Sequence, residues 1–157
     1  MFILRFIILF IVLCCISLFT TKASFAKQLQ PTALMQQETK WLVQALQQAH
    51  FNKVSIKELN SKEFITSYLE KLDKMKLYFI QDDADLFINR YSSTLITFFE
   101  QGNLFPGFEI YNSYREKSIK RLDWVLEFLK EDFNFDSNKT YQTDRDDKSW
   151  ESSNIEL

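Results

Sequence analysis

An all-α fold is predicted for this chain by three features of its sequence. Helix breakers are scarce: two glycines and two prolines among 157 residues, with none between Pro31 and Gly102. Leucine, lysine, glutamate and glutamine, all good helix formers, are abundant. Apolar residues recur at spacings of three and four along most of the chain, the period of a helix with one buried face. Together they predict four to five helices, with one long helix after Pro106 and a polar C-terminal tail.

The N-terminus reads as a leader. A short start whose only charge is Arg5 precedes an apolar run from Phe6 to Phe19, and Ser24 and Ala26 stand at the spacing read by signal peptidase. Residues 1–26 are therefore expected to be a signal peptide cleaved after Ala26, with export to the periplasm. The apolar run is shorter than the ~20 residues of a comfortable bilayer span. The alternative is an inner-membrane anchor formed by an uncleaved segment 6–19. Cleavage leaves 131 residues without Cys14 and Cys15, hence without a thiol or a disulfide. It also leaves 17 basic against 21 acidic residues, a net charge of −4, which does not suit a nucleic-acid binder.

The first helix is expected over Thr32 to His50, with Met35, Thr39, Leu42, Leu46 and Ala49 on one face. Asn60 is placed to cap the second, with Glu63 reaching back, and Phe64, Ile65, Tyr68, Leu69 and Leu72 form its stripe. The run Leu77 to Ile80 is either buried strand or the lead into a helix. Asp82 or Asp83 can cap the third helix, which carries Leu86, Phe87 and Ile88. It continues, with a kink near Ser92 and Ser93, through Leu95, Ile96, Phe98 and Phe99. Gly102 stops it in a left-handed conformation, and Pro106 suits the first turn of the next helix, where its missing N–H has no helical partner. That helix is expected to run to about Asp132, with Phe108, Tyr111, Ser118, Leu122, Val125, Leu126 and Leu129 on its apolar side. At that length it either forms a spine or projects beyond the body. Domain boundaries are thus set at 27–136 for the helical body and 137–157 for a polar tail, expected to pack poorly except where Tyr141 and Trp150 dock it.

Chemistry-bearing groups are few. His50 is the only histidine and reads as a terminal-turn residue beside the last carbonyls of the first helix, and one histidine without a mature cysteine does not make a zinc site. Asp82, Asp83 and Asp85 lack the glycine of a calcium loop and read as a solvated helix start. Asp144, Asp146 and Asp147 flank Arg145, which can pair with them. No cofactor, metal or catalytic residue is assigned.

Several segments, taken in order, resemble the N-terminal domain of the tail-specific protease family, the C-terminal processing peptidases. Trp41 to Phe51 is similar to the family's first helix ending in His-Tyr, with Phe51 in place of Tyr. Tyr68 to Phe79 resembles its Tyr-Leu-x-x-Leu-Asp-Pro-x-Lys/Arg-x-Tyr-Phe stretch through Leu72, Asp73, Tyr78 and Phe79, with Lys74 where proline is usual. The strongest signature is Gly102, Leu104, Pro106, Phe108, Ile110, Tyr111, Asn112 and Tyr114, followed by Arg121, with Lys117 standing in for arginine. Phe133 to Phe135, Asp144, Arg145 and Trp150 resemble its end.

The resemblance implies a helical domain that precedes a PDZ domain and a serine endopeptidase domain with a Ser-Lys dyad. The PDZ domain recognises substrate C-terminal tails, and in some members a lipoprotein adaptor binds the helical domain. No residue here matches a catalytic position, so the chain is expected to be inactive alone and to serve as a scaffold or partner-binding domain. The implied partner is a protein, either the PDZ and protease portion or an adaptor. The alternative is a free-standing exported helical module that regulates a protease or envelope protein.

Overall fold

The computed structural model describes residues 27–49, 55–133, 136, 140, 142–145 and 147–155. The leader, its Ala26 cleavage position, His50 and Tyr141 lie outside these. Among the described residues five α-helices follow in order: α1 (Ala33–Ala49), α2 (Ser61–Leu72), α3 (Gln81–Tyr91), α4 (Leu95–Glu100) and α5 (Phe105–Phe128). A single 3₁₀ turn, Ile56–Glu58, precedes α2, and the described residues contain no strand. The all-α prediction holds.

The core is built where apolar spacing meets a second helix. Ile65 and Leu69 of α2 face Ala84, Phe87 and Tyr91 of α3, and Phe79, Leu95 and Ile110 close the cluster. Asn60 caps α2, its Oδ1 accepting from the Glu63 N–H at 3.2 Å, while Glu63 Oε2 accepts from the Asn60 side-chain amide at 3.3 Å. That interaction satisfies one of the orphan donors at the helix start. The run from Leu77 to Ile80 is extended and leads into α3. Ile80, not Asp82 or Asp83, holds the cap position. Asp83 lies three residues inside, accepts from the Ile80 N–H at 3.0 Å and pairs with Lys117 of α5 at 2.8 Å. The negative charge at the positive helix end is as expected, but a lysine 34 positions away in sequence draws it inward. The kink expected at Ser92 and Ser93 is a full break, so α3 and α4 are separate helices.

Two of the predicted faces are corrected. On α1, Met35, Leu42 and Leu46 are exposed, and Val43 is the buried apolar residue. The Gln36 carbonyl of this helix lies against Gly102, and most of the described side chains of α1 are exposed. On α5, the buried positions are Pro106 and Ile110, with Tyr114 packed beside them. Leu122, Leu126 and Leu129 are exposed. A helix of 24 residues is about 36 Å long. Its buried residues lie in the first half, and the second half is flanked on one side by Leu77, Tyr78, Asn154 and Ile155 while its other faces project into solvent.

Candidate functional site

Most of the signature residues gather in two places, a polar node at the end of α2 and an apolar groove beside the start of α5. The node is centred on Asp73, which follows the last residue of α2 and is 1% exposed. Its Oδ1 accepts from the Leu77 N–H at 2.7 Å. Its Oδ2 accepts from the N–H groups of Tyr78 at 3.1 Å and Phe79 at 2.9 Å, and from the Trp150 indole N–H at 3.2 Å. A buried carboxylate is stable only when its lone pairs are matched by donors. Here four N–H groups surround it, three from the loop it closes and one from a residue 77 positions away.

The loop needs Lys76 at φ +53°, a left-handed conformation uncommon for a residue with a Cβ. Its surroundings hold it there. The Lys76 ammonium lies 4.2 Å from the centre of the Trp150 ring and 3.5 Å from Glu70. Arg145 completes the node: its Nε donates to the Met75 carbonyl at 2.8 Å, and its guanidinium lies 3.6 Å from Glu151. The Glu151 carbonyl in turn accepts from Gln81 N–H at the start of α3, at 2.9 Å. Arg145, Trp150 and Glu151 are thereby tied to the loop after α2 and to the start of α3. Asp144 is exposed beside the buried Arg145. The node binds the chain to itself and presents no open face for a substrate.

The groove is bounded by α2, α4, the start of α5 and the extended residues before α1. It holds about 610 Å³. Leu104, Pro106, Phe108, Ile110 and Tyr111, the apolar half of the strongest signature, line one side, and Ile65, Tyr68 and Phe99 line the other. Asn112 explains its own place in the signature. Its side-chain amide accepts from the Leu29 N–H at 2.9 Å and donates to the Leu29 carbonyl at 2.8 Å, as a neighbouring strand would. Arg115 donates to the Lys27 carbonyl at 2.8 Å. These bonds lay residues 27–31 along α5 and make Leu29 a wall of the groove. Gly102, at φ +65°, ends the preceding turn and lets α1 approach.

Tyr68 carries the polar group of the groove wall that bears on pH. Its hydroxyl donates to the Gly107 carbonyl at 3.3 Å. Burial pushes its phenol above the ordinary value, and the neighbouring Tyr111 adds to the shift. Its contribution to stability is complete below the unfolded-state value of 10.0 and is lost as pH rises through the folded value, because the unfolded chain ionises first. Thermal melts between pH 8 and pH 11 are expected to show a steeper alkaline loss for the native chain than for Tyr68→Phe.

Tyr78 and Phe79 join the two regions, each packing against Tyr114, at 5.3 and 6.0 Å between ring centres. Leu72 packs on the core beside them. Arg121 lies apart, with its guanidinium 4.8 Å from the centre of the Trp124 ring on the projecting half of α5. Sequence reasoning missed Leu29, Gln81 and Glu151, which all contribute through backbone groups, and these leave no residue-type signal. Among the described residues no cluster of histidine, cysteine or acidic groups is arranged to hold a metal. No described helix is long and apolar enough to cross a membrane.

Residues 42–157 match the family model described as the tail specific protease N-terminal domain. A tail-specific protease of Haemophilus influenzae is 25% identical over 108 residues, which cover 69% of this chain and 16% of that protein. The chain thus spans about one sixth of the length of this relative. With the matched region covering the node and all of α2 to α5, the chain belongs to the tail-specific protease N-terminal domain family.

Proposed function

We propose that this chain is the non-catalytic helical scaffold of an exported tail-specific protease, and that its apolar groove seats the remainder of that protease. The observation that carries the reading is where the signature goes. Its apolar residues wall an open groove of about 610 Å³, while its polar residues close loops and hold the N-terminal segment. An open apolar groove on a stable body is suited to receiving another polypeptide surface. The relative extends well beyond the region shared with this chain, since the match covers 16% of its length, so most of such a protease lies outside this domain.

The test mixes the purified chain with a tail-specific protease portion lacking its own N-terminal domain. The chain alone is expected to leave an unstructured peptide with an apolar C-terminal tail intact. The two portions are expected to co-elute, and Met35→Asp with Tyr111→Asp, both at the exposed rim, is expected to abolish co-elution while circular dichroism stays unchanged. Peptide hydrolysis by the chain alone would overturn the reading, as would failure to bind the protease portion. Binding to a lipoprotein adaptor in its place would move the groove to the adaptor role.

A further inference from the structure

The projecting half of α5 carries a second apolar surface, separate from the core, the node and the groove. Ile119, Leu122, Leu126 and Leu129 are 39, 55, 60 and 59% exposed. Their spacings are three, four and three, the a and d positions of a coiled coil. Leu129 follows the last helical residue but keeps helical geometry, its N–H donating to the Val125 carbonyl at 2.9 Å. The four side chains therefore form one straight seam of about 15 Å. A seam of this kind is half of a helix pair.

We propose that it pairs with the same seam of a second copy, α5 running antiparallel to α5, to make a homodimer. The choice of occupant rests on complementarity. A two-fold axis between the helices sets Ile119 opposite the second copy's Leu129 and Leu122 opposite the second copy's Leu126, so each a position meets a d position. In an antiparallel pair, residues flanking one edge of the seam face their own kind across the axis. That sets Glu116 opposite the second copy's Lys130 twice, two pairs of opposite charge. Asp123 stands between these pairs on the same edge and meets the second copy's Asp123 at the centre, one repulsion against two attractions, while on the other edge Val125 meets itself and extends the apolar contact. Parallel pairing sets Ser118 against Asp123 and Val125 against Lys130, with no opposite charges. The partners of Glu116 and Lys130 within the chain, Lys120 at 2.7 Å and Glu127 at 2.7 Å, are exposed and leave both groups at the helix surface. The seam and its flanks cover on the order of 1,000 Å² over two copies, the low end of stable interfaces, so the dimer is expected to be reversible.

Sedimentation velocity on the full chain tests this. A dimer is expected at about 100 µM, dissociating on dilution into the low micromolar range. Leu122→Asp with Leu126→Asp is expected to weaken it at least about 100-fold. Neither residue belongs to the core, so circular dichroism and melting are expected to stay close to those of the native chain. Glu116→Lys is expected to weaken the dimer about two- to fivefold, and adding Lys130→Glu to restore it, since exposed ion pairs contribute little each. A chain that is monomeric at about 100 µM overturns the proposal. A dimer untouched by the leucine substitutions, or a charge reversal that the second substitution fails to rescue, overturns it equally.

Discussion

Replacing Asp73 by alanine is expected to lower the unfolding free energy by about 3–5 kcal/mol, most of the stability of an ordinary domain. Four N–H groups lose their acceptor at once, those of Leu77, Tyr78, Phe79 and the Trp150 indole. Each buried donor left unmatched costs about 1–3 kcal/mol. The sum is reduced because the loop relaxes and admits water. The substitution also releases the Trp150 indole, so the hold on Trp150 and Glu151 is expected to weaken with it. Urea unfolding followed by far-ultraviolet circular dichroism measures the loss. Asp73→Asn is expected to recover less than half, because a single amide oxygen replaces two carboxylate oxygens and the amide N–H₂ turns donors towards donors. A loss below about 1 kcal/mol for Asp73→Ala would mean that the node is not a stabilising element.

Gly102→Ala is expected to cost about 2–4 kcal/mol, and Gly107→Ala is its internal control. At Gly102 the backbone is at φ +65°. A Cβ built there lies 2.3 Å from the Gln36 carbonyl oxygen and 2.6 Å from Lys40 Cγ. The lysine stem can swing aside, but the carbonyl belongs to the backbone of α1. The added methyl therefore strains the turn and pushes α1 off the body. At Gly107 the same methyl meets nothing within 4 Å. In a helix it replaces a residue of poor propensity with the best one, so Gly107→Ala is expected to be neutral or stabilising by up to about 1 kcal/mol. Paired denaturant titrations of the two variants give opposite signs if this account is right. Equal losses would show that the two glycines are retained for one common reason.

Reading residues in order found the elements but not their partners. Asn60 and Glu63 announce a helix start because the groups that satisfy the cap lie three residues apart. Gly102 and Pro106 announce a stop and a start for equally local reasons. Asp73 was legible only as a member of a resemblance, Trp150 only as an apolar anchor of the tail, and Arg145 only as a partner for the acids beside it. Nothing in their spacing says that Trp150 reaches Asp73 across 77 positions, or that Asn112 holds Leu29 across 83. The apolar faces misled in the same way. Periodicity marks Leu122, Leu126 and Leu129 as a stripe, but burial depends on whether another helix arrives, and the buried residues of α5 lie in its first half.

What this sequence determined by itself is the all-α class, the helix boundaries at Asn60, Gly102 and Pro106, and the family. Each is set by interactions within about four residues or by residue types at particular places. What only the tertiary structure decided is which faces are buried, which loop Asp73 closes, how residues 27–31 wall the groove, and that the second half of α5 is flanked on one side only. Those outcomes depend on contacts between distant segments, and the free energy of such a contact is a property of the pair, which neither segment carries alone.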